Sequence, residues 1–228
     1  MITRLLPFLL CLLLAMEAAA QVRRQEVIAM AERYLTLPWQ ATAAQAWHGK
    51  DAEGIQIDTP DVAFKPSFTR PGWWVPGKMN QGVPYQWGGF CTPEEFLAGL
   101  KQGRYAGDIY TPAKRQQGDA AVSKHAVGID CSGLVSRCWR LPRAYSTEEL
   151  PQLCTQVAWG DLRPGDVLNS RHNHVLLFKG WADAEHARLL AYEAGSPPSW
   201  KVLLNRIPVA KLEREGYVPL RFRGIKEY

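Results

Sequence analysis

The order of the predicted elements favours an α+β fold, with N-terminal helices packed on a central antiparallel β-sheet. Apolar residues recur at helical spacing over residues 21–37, and further helix starts follow at Thr92 and Asp130. After the turn signal at residues 164–165, the pattern changes to short apolar runs separated by turn residues, which is typical of strands. Helices first and strands afterwards are the signature of this fold class.

Capping residues mark the ends of the predicted helices. The first helix should end before Pro38, because proline disfavours helical backbone in the residue that precedes it. Residues 92–95, Thr-Pro-Glu-Glu, suit the first turn of a short helix. Asp130 is expected to cap a helix that runs to about Trp139. Residues 146–149 form a capping box, which predicts one more helix.

The strand signals all lie in the C-terminal third of the chain. They cover residues 166–169, 174–178, 189–193 and 218–222. By contrast, residues 39–82 and 100–129 show no sustained periodicity of hydrophobic residues, so they are predicted to form ordered loops rather than helices or strands.

The first twenty residues have the composition of a secretory signal peptide. Arg4 provides the positive n-region, an apolar run covers residues 5–14, and small residues end at Ala20. The run is too short to span a bilayer, and the sequence around Cys11 does not resemble a lipoprotein cleavage box. We therefore expect an exported protein, periplasmic or secreted after cleavage near Ala20. The mature form should have no integral membrane span and one domain over residues 21–228.

The charge of the chain indicates which partners it suits. The formal net charge is +5 at pH 7, and cleavage of the signal peptide leaves it unchanged because Arg4 and Glu17 cancel. A mild positive charge suits anionic partners such as cell-wall polymers. Lysine and arginine form no concentrated stripe, so the sequence argues against nucleic-acid binding.

Four cysteines remain after the predicted cleavage, and the sequence leaves their pairing open. If Cys131 is a nucleophile, one disulfide at most can form among Cys91, Cys138 and Cys154. Cys131 and Cys138 would lie two helical turns apart, about 10 Å, which is too far for a bridge. A Cys138–Cys154 bridge and a Cys91–Cys154 bridge both stay open.

The segment GIDCSGLV, residues 128–135, places Cys131 where a thiol is chemically useful. With Asp130 as the N-cap, the thiol would stand in the first helical turn. Unpaired amides and the positive end of the helix dipole stabilise a thiolate there. Ser132 and Gly133 leave room for a substrate carbonyl to approach the sulfur. The structural alternative is a small buried residue at a helix start.

A nucleophilic thiol needs a base and a group that orients the base. His174 begins the apolar run of a predicted strand and is the candidate base. His172 would share a strand face with His174, so it could compete, or the two could ligate a metal; no third ligand at a recognisable spacing accompanies them. His125 lies in a predicted loop and is a weaker candidate. Glu193 is the candidate orienting carboxylate, and its alternative is a solvent-facing position on an edge strand.

Four motifs in order resemble the NlpC-type cell-wall cysteine peptidases, a papain-like family. They are VPYQWGG (residues 83–89), GIDCSGLV (128–135), LRPGDV (162–167) and NHVLLF (173–178). The first helix, which ends AERYLTLPW, and the strand YVPLRF are similar as well, so the resemblance covers most of the mature chain. It implies the papain-like α+β fold, without a cofactor or a metal.

Carried over residue by residue, the resemblance implies roles for six side chains. Cys131 would be the nucleophile and His174 the base. Glu193 takes the third polar position, where the family often has histidine. Three further residues would contact the substrate's peptide stem or the reacting group: Tyr85, Asp130 and Ser132.

Two segments depart from the family pattern. Residues 39–82 and 90–128 are longer than the family's connections, and we interpret them as insertions near the expected cleft. The resemblance implies hydrolysis of an amide in a peptidoglycan or muropeptide stem, with the D-glutamyl to diamino-acid bond as the expected target. Two alternatives stay open: an amidase or acyltransferase acting on another acyl donor, and a non-catalytic wall-binding module.

Overall fold

The computed structural model describes residues 21–64, 72–195 and 199–227. The predicted signal peptide, residues 1–20, lies outside these ranges. The described helices are α1 (Arg24–Thr36), α2 (Pro93–Lys101), α3 (Pro112–Gln117), α4 (Cys131–Cys138) and α5 (Val209–Arg214). None of them is long and apolar enough to cross a membrane. The described strands are β1 (Val22–Arg23), β2 (Pro38–Gln40), β3 (His48–Lys50), β4 (Gln56–Asp58), β5 (Met79–Gln81), β6 (Tyr105–Ala106), β7 (Ala126–Val127), β8 (Cys154–Gln156), β9 (Val167–Ser170), β10 (His174–Trp181), β11 (Arg188–Ala194), β12 (Val202–Pro208), β13 (Val218–Phe222) and β14 (Ile225–Lys226).

Six strands form the central sheet, in the order β12-β11-β10-β9-β13-β8. Every neighbouring pair in it is antiparallel. The other strands pair two by two outside this sheet. The predicted α+β class is therefore confirmed, and the four predicted strands correspond to β9, β10, β11 and β13.

The side chains of β10 point alternately into two hydrophobic cores, one on each face of the sheet. Val175 and Leu177 pack on one side of the sheet with α1 and α4. Leu176 and Phe178 point to the other side, where they pack with Leu212 of α5. Successive strand residues face opposite sides of a sheet, so one apolar run fills both cores. The strand that begins at the candidate base is thus buried on both faces.

Asp166 of the LRPGDV motif joins three parts of the fold. Its buried carboxylate accepts bonds from Arg24 of α1 at 2.9 Å and from Arg221 of β13 at 2.8 Å. It also accepts the backbone N–H of Arg163 at 2.9 Å. A buried carboxylate is stable only with such partners. The motif therefore holds the turn before β9 against the first helix and the neighbouring strand.

The prediction of an α-helix after residue 146 is wrong. The capping box itself forms, because Ser146 and Glu149 each accept the other's backbone N–H through their side chains. Only a 3₁₀-helix, Leu150–Leu153, follows it. Pro151 lacks an N–H and disfavours helical backbone in the residue before it, so an α-helix cannot propagate there.

The sequence prediction also missed short elements and two edge strands. The strands β8 and β12 form the two edges of the central sheet. The segments predicted as loops contain the short strands β2–β7 and the six-residue helix α3. Strands of two or three residues are too short to show hydrophobic periodicity. They are defined by their backbone pairing with another strand, which the sequence pattern does not reveal.

Candidate active site

Cys131 is the first residue of α4, as predicted. Its N-cap is Asp130, whose carboxylate accepts the backbone N–H of Gly133 and, at 3.1 Å, the hydroxyl of Ser132. The Cys131 amide is the first N–H of the helix and has no intrahelical partner. The half-buried Cys131 side chain therefore stands at the positive end of the helix, beside its own unpaired amide.

A close backbone contact fixes the start of α4. The Asp130 N–H donates to the Gly89 carbonyl at 3.1 Å. A Cβ atom at Gly133 would lie 2.1 Å from that same carbonyl oxygen, so only glycine fits. The VPYQWGG and GIDCSGLV motifs are thus packed backbone to backbone, directly next to the thiol.

His174 lies at the start of β10 and is held by Glu193 of β11. The distance between His174 Nε2 and Glu193 Oε2 is 2.7 Å. With Nε2 engaged, Nδ1 is the ring nitrogen left for the Cys131 sulfur, with which the imidazole interacts. The three predicted catalytic residues form one chain of contacts: Cys131, His174 and Glu193.

Asn205 extends this chain of contacts, although no sequence motif marks it. Its side-chain amide donates to Glu193 Oε1 from the edge strand β12. The second carboxylate oxygen of Glu193 is therefore also satisfied. The surrounding run, Val-Leu-Leu-Asn-Arg-Ile, has no clear alternation, so only the register with β11 shows that this amide faces Glu193. Glu193 lies on a strand with partners on both sides, so its edge-strand alternative is excluded.

The surroundings of His174 favour its charged form. Burial lowers the pKa of His174, but the Cys131 sulfur and the Glu193 carboxylate outweigh it and raise the pKa to about 10. Burial raises the pKa of Glu193, whereas its bonds to His174 and Asn205 hold it below the ordinary value. An imidazolium between a carboxylate and a sulfur stabilises a thiolate. His174 therefore forms an ion pair with Glu193, and its ring also contacts the Cys131 sulfur.

We expect the His174 ring to remain protonated at pH 8 and to lose its proton near pH 10. Since the pKa is raised above its ordinary 6.5, the bound proton stabilises the fold fully below pH 6.5, and this contribution disappears as the pH rises through about 10. Cys131→Ala and Glu193→Gln should each lower the pKa of His174. Ring-nitrogen NMR, assigned with a His174→Gln sample, measures this. A neutral His174 ring at pH 8 in the unmodified protein would contradict the arrangement.

Beside the thiol, Tyr85 is buried and Asp130 is half-buried. Burial, together with the negative groups of Asp130 and Cys131, raises the pKa of Tyr85 well above its ordinary value, so the phenol stays neutral and can donate a hydrogen bond. Burial also raises the pKa of Asp130 to about 6, against the lowering effect of the Gly133 N–H, Ser132 and His174. Above that pH, Asp130 is an anion at the edge of the site.

Five of the six predicted residues line one cavity of about 290 Å³. They are Tyr85, Asp130, Cys131, Ser132 and His174. The sixth, Glu193, contacts His174 but does not line the cavity. A larger cavity of about 420 Å³ lies beside α2, and none of the six predicted residues lines it. The smaller cavity is therefore the candidate active site.

The segment 90–128 forms one wall of this cavity. It contributes Tyr110, Arg115 and Asp119, which stand near Trp87 of the VPYQWGG motif. The rings of Trp87 and Tyr110 have centroids 5.7 Å apart. No described residue of the segment 39–82 lines the cavity. Of the two long segments interpreted as insertions near the cleft, the second therefore contributes to the cavity wall, and the described part of the first does not.

The other two histidines have different surroundings. His172 lies on the β9–β10 turn with a φ of +59°, at the rim of the cavity, and its Nδ1 is 3.5 Å from Glu148. His125 pairs with Glu53 away from the cavity. Among the described residues, one group of three side chains has ligand atoms within 4.8 Å of one another, namely Asp51, Glu53 and His125. Lys124 already pairs with Glu53 at 2.8 Å, and His172 and His174 are not in the group.

All four described cysteines are free thiols, so neither disulfide that the sequence left open is formed. Burial raises the pKa of Cys91 and of Cys154 to about 12 each, and that of Cys138 further still. These three thiols are therefore poor nucleophiles near neutral pH. Of the four, only Cys131 lines the candidate active site.

A comparison of the sequence with known proteins adds no assignment. No model of a protein family matches the chain, and no curated protein matches it.

Proposed function

We propose that the chain is an exported cysteine peptidase of the papain-like NlpC type, acting on peptidoglycan stem peptides. The observation that carries this proposal is that Cys131 and His174 line one cavity, with the thiol at a helix N-terminus and His174 held from behind by Glu193. A binding module would need no such ion pair. The order of the four motifs supports the papain-like family, and the residues 1–20 support export.

The proposed reaction is amide hydrolysis through a thioester. The Cys131 thiolate attacks the carbonyl carbon, and the amide C–N bond breaks as His174 gives its proton to the leaving amine. The unpaired Cys131 amide and the neutral Tyr85 hydroxyl would stabilise the oxyanion. The neutral His174 then takes a proton from water, whose oxygen attacks the thioester and releases the acid and the thiolate. Glu193 orients the imidazole and stabilises its charged form throughout. Asp130 and Ser132 would bind the stem peptide.

An amidase or acyltransferase acting on another acyl donor is the second candidate. The cavity wall formed by Tyr110, Arg115 and Asp119 favours it, because this wall comes from the segment that departs from the family pattern. Such an enzyme would use the same nucleophile and base. The two candidates differ in the acyl donor and therefore in the products.

Purified muropeptides are expected to be cleaved by the protein, with the D-glutamyl to diamino-acid bond as the target. Cys131→Ala should abolish cleavage, and Cys91→Ala should retain it, because Cys91 lies outside the active-site cavity. Mass spectrometry of the products identifies the bond. Cleavage that persists in Cys131→Ala would contradict the proposal. Intact muropeptides beside a thiol that still reacts with iodoacetamide would favour the second candidate.

A further inference from the structure

Arg115 is an unpartnered cation in the wall of the active-site cavity. Its side chain is exposed and lines the cavity together with the nucleophile and the base. Within the described ranges, no ion pair or side-chain hydrogen bond engages its guanidinium. Asp119 lines the same wall, yet it forms no ion pair with Arg115. The guanidinium is therefore available to a ligand.

The helix that carries Arg115 is fixed to the core of the site. The preceding residue, Lys114, is 3% exposed and forms a buried ion pair with Asp108, which is fully buried. Because Lys114 points into the protein, its neighbour Arg115 is directed away from that core. Breaking a buried ion pair is costly, so this orientation of α3 is strongly favoured.

Hydrogen bonds attach the residues before and after this helix to the segment that bears Tyr85. The Asp108 N–H donates to the Tyr85 carbonyl at 2.8 Å, and the Trp87 N–H donates to the Asp108 carbonyl at 3.0 Å. At the other end of α3, the Trp87 indole donates to the Gly118 carbonyl at 3.1 Å. Arg115 is thus held at a defined position relative to the reacting groups rather than on a free loop.

We propose that Arg115 is a specificity-determining residue that binds a carboxylate of the substrate near the amide to be cleaved. This inference rests on the proposed function, and it defines the substrate class as acyl donors with a free carboxylate next to the reacting carbonyl. A guanidinium presents paired N–H donors that match a carboxylate.

Two alkylating reagents test this without knowledge of the natural substrate. Iodoacetate and iodoacetamide both react by attack of the Cys131 sulfur on the CH₂ carbon and loss of iodide, but only iodoacetate carries a carboxylate. We expect Arg115→Gln to lower the iodoacetate-to-iodoacetamide rate ratio at Cys131 by about threefold, the effect of one nearby charge in a partly solvated cavity. Arg104→Gln, an exposed arginine outside this cavity, should leave the ratio unchanged. Peptide mapping confirms that Cys131 is the alkylated thiol.

The outcomes separate this inference from the proposed function. An unchanged ratio in Arg115→Gln, with a normal iodoacetamide rate, overturns the role of Arg115 and leaves the nucleophile intact. A Cys131 that reacts with neither reagent overturns the proposed function and this inference with it. A stem peptide and its amide derivative provide a second readout. The unmodified protein should prefer the free acid, and Arg115→Gln should lose that preference through KM rather than kcat; a retained preference overturns the inference.

Discussion

His174→Ala is expected to lower kcat/KM for stem-peptide cleavage by about 10³-fold, the usual contribution of a positioned acid–base group. In the proposed mechanism the imidazole has two functions: it stabilises the thiolate, and it protonates the leaving amine. Both are lost when the ring is removed. Steady-state kinetics with a purified stem peptide measures the effect, and circular dichroism shows whether the variant is folded.

His172→Ala is the matched control, because His172 lies two residues away and faces the cavity rim. It pairs with Glu148 rather than with Glu193, so we expect kcat to change by no more than about threefold. Equal losses in the two variants would contradict the assignment of His174 as the base. A loss confined to His172→Ala would assign the base to the turn residue instead.

Gly133→Ala is expected to destabilise the fold by about 3 kcal/mol and to remove thiol reactivity as well. The added Cβ would lie 2.1 Å from the Gly89 carbonyl oxygen, a backbone atom that no side-chain rotation can move away. Alanine favours a helix over glycine by about 1 kcal/mol, so this gain is smaller than the cost of the contact. Because the clash occurs next to Cys131, the helix start should shift away from His174.

Urea unfolding and iodoacetamide kinetics measure the two effects. Gly160→Ala serves as the control, since a Cβ there meets nothing within 4 Å. We expect it to leave the free energy of unfolding within about 0.5 kcal/mol of that of the unmodified protein. A Gly133→Ala variant with normal stability would show that the close approach of the two motifs is not needed to build the site.

The sequence predicted those parts of the fold in which local signals and tertiary structure agree. The helices α1, α2 and α4 have caps or periodicity that survive folding. The strands β9, β10, β11 and β13 are apolar runs bounded by turns. By contrast, β8 and β12 are sheet edges with mixed burial, so their sequences lack a clear alternation. Their existence depends on partner strands, which a local pattern cannot reveal.

The residues of the candidate site were likewise predictable only where a local sequence signal marks them. Cys131 and His174 were predictable because each begins an element with a recognisable start. Asn205 was not, since its role depends on the register between β11 and β12. The wall residues Tyr110 and Arg115 lie in a segment without hydrophobic periodicity. Tertiary contacts fix their place, among them the buried ion pair of Lys114 with Asp108.

Detection of a thioester on Cys131 tests the central claim most directly. The protein is mixed with a stem peptide, quenched in acid during turnover, digested and mapped by mass spectrometry. We expect the mass of the acyl half of the substrate on the peptide that contains Cys131, and its disappearance on longer incubation as water completes the reaction. Products that accumulate while Cys131 stays unmodified, or an acyl group on Cys91 instead, would contradict the account.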